Sequence, residues 1–114
     1  MTKPEEIECI LQSVLGVLNS PDRWCKYAAA LDVNGVRINE RHSLAVQWCL
    51  EGAIRVSSDL WRLQSATECH LVKHMLNDKY LLLRDFNDGQ DTKYEDVIAL
   101  LQRGIGACGK TQIT

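Results

Sequence analysis

The residues best equipped for chemistry are a cysteine and the three histidines. Cys49 stands in the run Ala45–Ala53, beside Trp48 and three residues before Gly52. A thiol nucleophile there would need His42, His70 or His74 as base, and Asp32 or Asp88 to orient it. Read at helical period, Cys49 falls in the middle of an apolar helix face. It is then remote from the helix N-terminus that would favour the thiolate. A buried, unreactive core thiol is therefore expected, and no catalytic residue is assigned. His70 and His74 are one helical turn apart, the spacing at which two imidazoles share a metal ion. Cys69 is adjacent but points about 100° round the helix, so a third ligand would have to come from Asp78, Asp85 or Asp88. Two surface histidines beside Lys73 are expected instead, with no metal and no other cofactor.

The remaining candidates are binding residues. Trp61 and Arg62 follow Leu60 in a short segment between helices, and Trp and Arg beside aliphatics have the composition of an interface anchor. Asp32, Asn87 and Asp88 lie in turn-forming stretches, where Asx side chains commonly bond local backbone N–H groups. If both stretches pack on one side of the Trp48 helix, they frame a small polar cleft beside Trp48 and Cys49.

These residues must be positioned by helices. Ile7, Ile10, Leu11, Val14, Leu15 and Leu18 repeat at i, i+3, i+4, i+7 and predict a helix over 3–19, opened by a capping box at Thr2–Glu5. Ser20-Pro21 starts a new turn. Asp32–Ile38 carries an Asn34-Gly35 turn signal between apolar residues, which suggests a hairpin-like loop. Its arms are too short for an independent sheet. Ser43 opens a central helix over 43–57. Ala45, Trp48, Cys49, Gly52, Ala53 and Val56 share one face, Val46, Leu50 and Ile54 a second, and Gln47, Glu51 and Arg55 a polar stripe. A helix apolar round most of its girth is buried on two sides. Gly52 costs about 1 kcal/mol of helix propensity, so close helix packing against it is expected.

Ser65–Glu68 reads as a second capping box and predicts a helix over 66–78. The run Tyr80–Leu83 is either helical or extended. Asp85–Gly89 reads as a turn. Thr92–Glu95, a third capping box, opens a helix over 93–105, ended by Gly104, Gly106 and Gly109. Two Trp-Cys dipeptides, at Trp24 and Trp48, read as coincidence. The fold class is all-α: a compact single-domain bundle of about four main helices, spanning residues 1–114, with a small hairpin-like loop before the central one.

Three groups of residues now resemble a small family of bacterial and phage proteins, domain of unknown function 6197. They are Trp24, Ala28, Asp32 and Gly35; then Ala45, Trp48-Cys49 and Gly52-Ala53; then Phe86-Asn87-Asp88 with Thr92 and Glu95-Asp96-Val97. Their order and spacing agree over about residues 5–105, and the segment Trp61–Leu83 matches nothing in the pattern. The resemblance implies one α-helical domain and no particular activity.

Composition narrows the function classes. The chain has 114 residues and a net charge of -2, enough for one core and without a global electrostatic case for nucleic acid. Its basic residues alternate with acidic ones. No apolar run approaches a membrane span, and the N-terminus lacks a signal-peptide shape. Five cysteines without a Cys-x-x-Cys pair fit reduced thiols and a cytoplasmic location. The expectation is a non-enzymatic protein that binds a protein partner or itself, acting in a bacterium, phage or mobile element, where it could inhibit a host system. The competing expectation is a small enzyme or ligand-binding domain built on Trp48, Cys49 and Asp88.

Overall fold

The computed structural model describes residues 3–75, 80 and 82–110. The chain runs through α1 (Pro4–Val17), a 3-10 turn (Pro21–Arg23), β1 (Ala30–Leu31), β2 (Arg37–Ile38), β3 (Gln47–Trp48), α2 (Leu50–Ser57), α3 (Trp61–Lys73), α4 (Leu83–Asn87) and α5 (Tyr94–Lys110). It is mostly helical but not all-α. A three-stranded antiparallel sheet of order β2-β1-β3 stands before α2.

The core follows from the helical stripes. Ile10, Leu11, Val14 and Leu18 bury one side of α1, and Val97, Leu100, Leu101 and Cys108 bury one side of α5. These two long helices pack on each other, with α2 and α3 also against α1. Leu50, Ala53 and Ile54 of α2, Leu71 of α3, and Leu83 and Phe86 of α4 complete the same cluster. Gly104 and Gly106 do not end α5. A Cβ on Gly104 would lie 2.8 Å from Leu71 Cδ2 and 3.2 Å from Leu11 Cδ1, so this glycine lets the three helices meet closely. No helix among the described residues is long and apolar enough to cross a membrane.

The largest correction concerns the central helix. It begins at Leu50, not Ser43, because the preceding residues join the sheet. The Asn34-Gly35 turn forms as expected, with Gly35 at φ +78. The Asp32 carboxylate accepts N–H bonds from Asn34 and Val36, each 2.9 Å. That places β2 on one edge of β1. The other edge is taken by the chain before α2: Ala30 pairs with Trp48 and Leu31 with Gln47, and Val46 N–H donates to Leu31 O at 2.9 Å. Val46 and Trp48 suit a strand. An open strand edge outweighed an apolar period that local sequence reads as helical.

Other boundaries shift for local reasons. Lys3, not Thr2, is the residue before α1, and its N–H donates to Glu6 Oε1 at 2.9 Å; Thr2 itself lies outside the described residues. Lys93 does the same with Asp96 Oδ2 at 2.9 Å, one residue beyond the expected box. Ser65–Glu68 lies inside α3 and is no cap. Instead, Ser58 Oγ accepts the Leu60 N–H and its carbonyl accepts Gln64 Nε2 at 2.6 Å, so the helix starts at Trp61. It ends at Lys73; residues 76–78 of the expected helix lie outside the described residues. Of Tyr80–Leu83, Leu81 also lies outside them, and Leu83 opens α4. The expected turn at 85–89 is largely that short helix.

Candidate functional site

Two places collect the candidate residues. The first is a polar knot round Asn87, the last residue of α4, which is 1% exposed. Asn87 Oδ1 accepts from Trp24 Nε1 at 2.6 Å and from Leu50 N–H at 2.9 Å. Its Nδ2 donates to Cys25 O at 3.1 Å and to Asp88 Oδ1 at 3.0 Å. Asp88 Oδ1 also accepts the Tyr27 N–H at 2.8 Å. Tyr27 has φ 67, a left-handed conformation rare for an aromatic residue, and the Asp88 bond fixes it there. Lys26 Nζ donates to Gly89 O at 2.6 Å and stands 5.6 Å from the Trp24 ring centre. The loop before the sheet is thus fastened to the α4 turn and to the start of α2.

The sequence-expected cleft beside Trp48, Cys49 and Asp88 is therefore filled by internal bonds. Trp48 is half-buried on β3, with Nε1 donating to Glu40 O at 2.9 Å and the Arg23 guanidinium 5.1 Å from its ring centre. Cys49 is buried as expected, but not in the middle of a helix. It is the residue capping α2, and its Sγ accepts the Gly52 N–H at 3.2 Å. Burial pushes its thiol up, and the Gly52 bond pulls the other way. Burial, then the charges of Cys49 and Asp88, push Cys25 up to about 12. Both hold their protons at neutral pH, which does not suit a nucleophile. The two Trp-Cys dipeptides are not a coincidence of composition in space. Trp24 and Trp48 form a parallel bridge, and Cys25 N–H donates to Trp48 O at 3.1 Å.

Asp32 belongs to neither place; it holds the hairpin turn. The histidines are likewise structural. His70 is half-buried, not on the surface, and its Nε2 donates to Gly104 O at 2.8 Å, with Cys108 Sγ at 3.5 Å. Its ring packs 4.8 Å from that of His74. It ties α3 to α5.

The second place is a groove of about 790 Å³ along α3. Trp61, Gln64, Glu68 and Val72 line it from α3, Glu51 and Arg55 from α2, and Leu82–Arg84 from the start of α4. Neither Cys49 nor Asp88 lines it. Trp61 is 77% exposed on the first turn of α3, with Leu60 54% and Leu82 52% exposed. Arg62 is exposed beside it. The expected Glu51–Arg55 pair forms at 2.8 Å, and Arg55 reaches Glu40 at 3.4 Å. Burial opposes the Arg55 charge, but Glu51 and Glu40 outweigh it and hold its pKa above the ordinary value. Burial and the Glu51 charge push the Glu68 carboxyl up, partly offset by Arg55.

Sequence reasoning found Trp61 and missed Glu68. The signal for Glu68 was its place about two turns along α3 from Trp61, legible only once the helix is known to begin at Trp61.

The model of one protein family, described as a family of unknown function (DUF6197), matches residues 2–107. No curated protein and no solved structure matches the chain.

Proposed function

The chain belongs to this family of unknown function, and from its own geometry we propose that it is a non-enzymatic binding protein whose contact surface is the Trp61 groove. The observation that carries this is the exposure of Trp61, 77% of an indole held on a regular helical turn at the edge of a concave surface. A Trp carries a large apolar area that ordinary folding would bury. Leu60 and Leu82 extend the apolar surface, and the Glu51, Glu68 and Arg55 side chains give it polar points of register. An aromatic anchor for a partner to bury, with a polar surround, is the composition of a binding hot spot. The competing site has less support: the polar atoms of Trp24, Trp48, Asn87 and Asp88 bond to the protein itself, and both neighbouring thiols are held protonated.

The partner is a protein, either a different chain or a second copy of this one. Capture of partners on immobilised chain from extract of the native host tests this, with light scattering for self-association. Trp61→Ala is expected to weaken retention about 30-fold or more, the equivalent of roughly 2 kcal/mol at a hot spot, while leaving the melting temperature unchanged. Retention that survives Trp61→Ala would reject the groove as the surface. A monomer at all concentrations that retains nothing would reject the binding function.

A further inference from the structure

The side-by-side Trp-Cys dipeptides place two buried thiols together, and neither structural bonding nor the groove uses them as a pair. We propose that Cys25 and Cys49 are an oxidisable dithiol, converted to an internal disulfide by thiol–disulfide exchange with a small disulfide such as glutathione disulfide. The placement comes from register. Trp24 and Trp48 form an isolated parallel bridge, closed by the Cys25 N–H bond to Trp48 O at 3.1 Å, so Cys25 and Cys49 each follow directly on a bridged residue. Successive residues on an extended segment alternate faces, so the two Trp side chains share one face and the two Cys side chains the other. Neighbouring extended segments lie about 4.8 Å apart, within the Cα separation of roughly 4.4–6.8 Å that a disulfide spans. The Cys49 sulfur is also near enough for its charge to act on the Cys25 thiol. Among the described residues, Cys9 and Cys69 are exposed, and Cys108 is buried beside His70.

The reaction has an order. Burial pushes the Cys49 thiol up, but the Gly52 N–H it accepts at the start of α2 opposes that rise, whereas the Cys25 Sγ donates to Ala28 O at 3.6 Å. With the turn open, the burial that holds the Cys49 proton at neutral pH is relieved; at mildly alkaline pH Cys49 then loses its proton to solvent and attacks one sulfur of glutathione disulfide. The S–S bond breaks, glutathione thiolate leaves and takes up a proton, and Cys49 carries the mixed disulfide. Cys25 then loses its proton and attacks the Cys49 sulfur, releasing the second glutathione. Two thiols are oxidised by two electrons, and one glutathione disulfide is reduced to two glutathiones. Cys25 and Cys49 are 7% and 8% exposed, so attack requires the turn at 25–29 to open. That turn is pinned by the Tyr27 N–H bond to Asp88. Thiol–disulfide exchange runs in both directions with the glutathione pair, which makes the pair a reversible redox site.

The test equilibrates the reduced full-length chain with glutathione and glutathione disulfide at mildly alkaline pH. The sample is acid-quenched, free thiols are alkylated, and tryptic peptides are mapped by mass spectrometry. The expected product joins the Trp24–Lys26 peptide to the His42–Arg55 peptide, and dithiothreitol reverses it. Cys9 and Cys69 carry glutathione alone. Asp88→Ala, which releases the turn, is expected to speed the crosslink several-fold. Cys49→Ser keeps a capping oxygen for α2 and is expected to abolish the crosslink in a folded chain. Absence of the 25–49 crosslink in folded protein, or its appearance only in denaturant, would overturn the proposal.

Discussion

Replacing Gly52 by alanine, the smallest possible change to α2, is expected to destabilise the domain by about 3 kcal/mol. In an open helix the same change stabilises, because alanine gains about 1 kcal/mol of propensity over glycine. Here an added Cβ would stand 2.2 Å from the Ala29 carbonyl oxygen and 3.1 Å from its carbon. That is roughly 1.3 Å inside the distance at which carbon contacts become favourable, and the obstacle is backbone, which has no rotamer to change. Overpacking of this kind costs about 1–3 kcal/mol. Withdrawing Ala29 would also break the Cys49 N–H bond to Ala29 O, 3.2 Å, which joins the sheet to α2; a buried donor left unpaired costs about 1–3 kcal/mol. The propensity gain offsets only part of this. For a domain of this size, 3 kcal/mol lowers Tm by about 12 °C. The assay is a thermal melt followed by circular dichroism, with Gly106→Ala as internal control. Gly106 lies in α5 with nothing within 4 Å of its added Cβ, so that variant should gain about 0.5–1 kcal/mol. Equal melting temperatures for the two variants, or a rise in both, would refute the close approach of Ala29 to α2.

Three further outcomes follow from the side-chain network. Asn87→Ala orphans the buried Leu50 N–H and the Trp24 indole N–H and is expected to cost about 3 kcal/mol or more, read as a shift in urea midpoint. Glu68 has its pKa raised by burial and by Glu51, so its favourable contribution is fully present below the ordinary glutamate value of about 4.3 and is lost as pH rises through its higher folded value. Glu68→Gln should therefore raise Tm at neutral pH and have little effect in acid; an unchanged pH profile would count against the Glu51–Glu68 contact. Thiol labelling of native protein should modify Cys9 and Cys69 quickly and leave Cys25, Cys49 and Cys108 protected, as mass spectrometry of the alkylated chain can establish; rapid modification of Cys49 would overturn its burial.

The fold was legible where one stripe of side chains faces one core. The stripes on α1 and α5 followed directly from Ile10, Leu11, Val14 and from Val97, Leu101. Gly52 was legible as a site of close approach, although the neighbour is the Ala29 backbone and not another helix. Residues 43–48 were not legible, because a helical apolar period and a half-buried strand share Val46 and Trp48, and only the pairing edge of β1 decides between them. That misreading put Cys49 in the middle of a helix, whereas it caps α2, where the Gly52 N–H opposes part of the rise that burial gives its thiol. Asn87 and Asp88 were seen as turn residues, but their partners lie some sixty positions earlier in the chain, at Trp24, Cys25 and Tyr27. No local pattern encodes such a contact. Trp61 stood out by composition alone; the groove beside it depends on how α2, α3 and α4 pack.

The most direct test of the binding surface is photocrosslinking in the native host. A benzoylphenylalanine placed at Trp61 lies at the edge of the groove, and one placed at Gln12 lies on the exposed side of α1. The expected result is one discrete crosslinked protein from position 61, the same species retained on immobilised chain, and none from position 12. Crosslinks from position 12 to that species, or no discrete product from position 61 in folded protein, would contradict the assignment of the Trp61 groove as the contact surface.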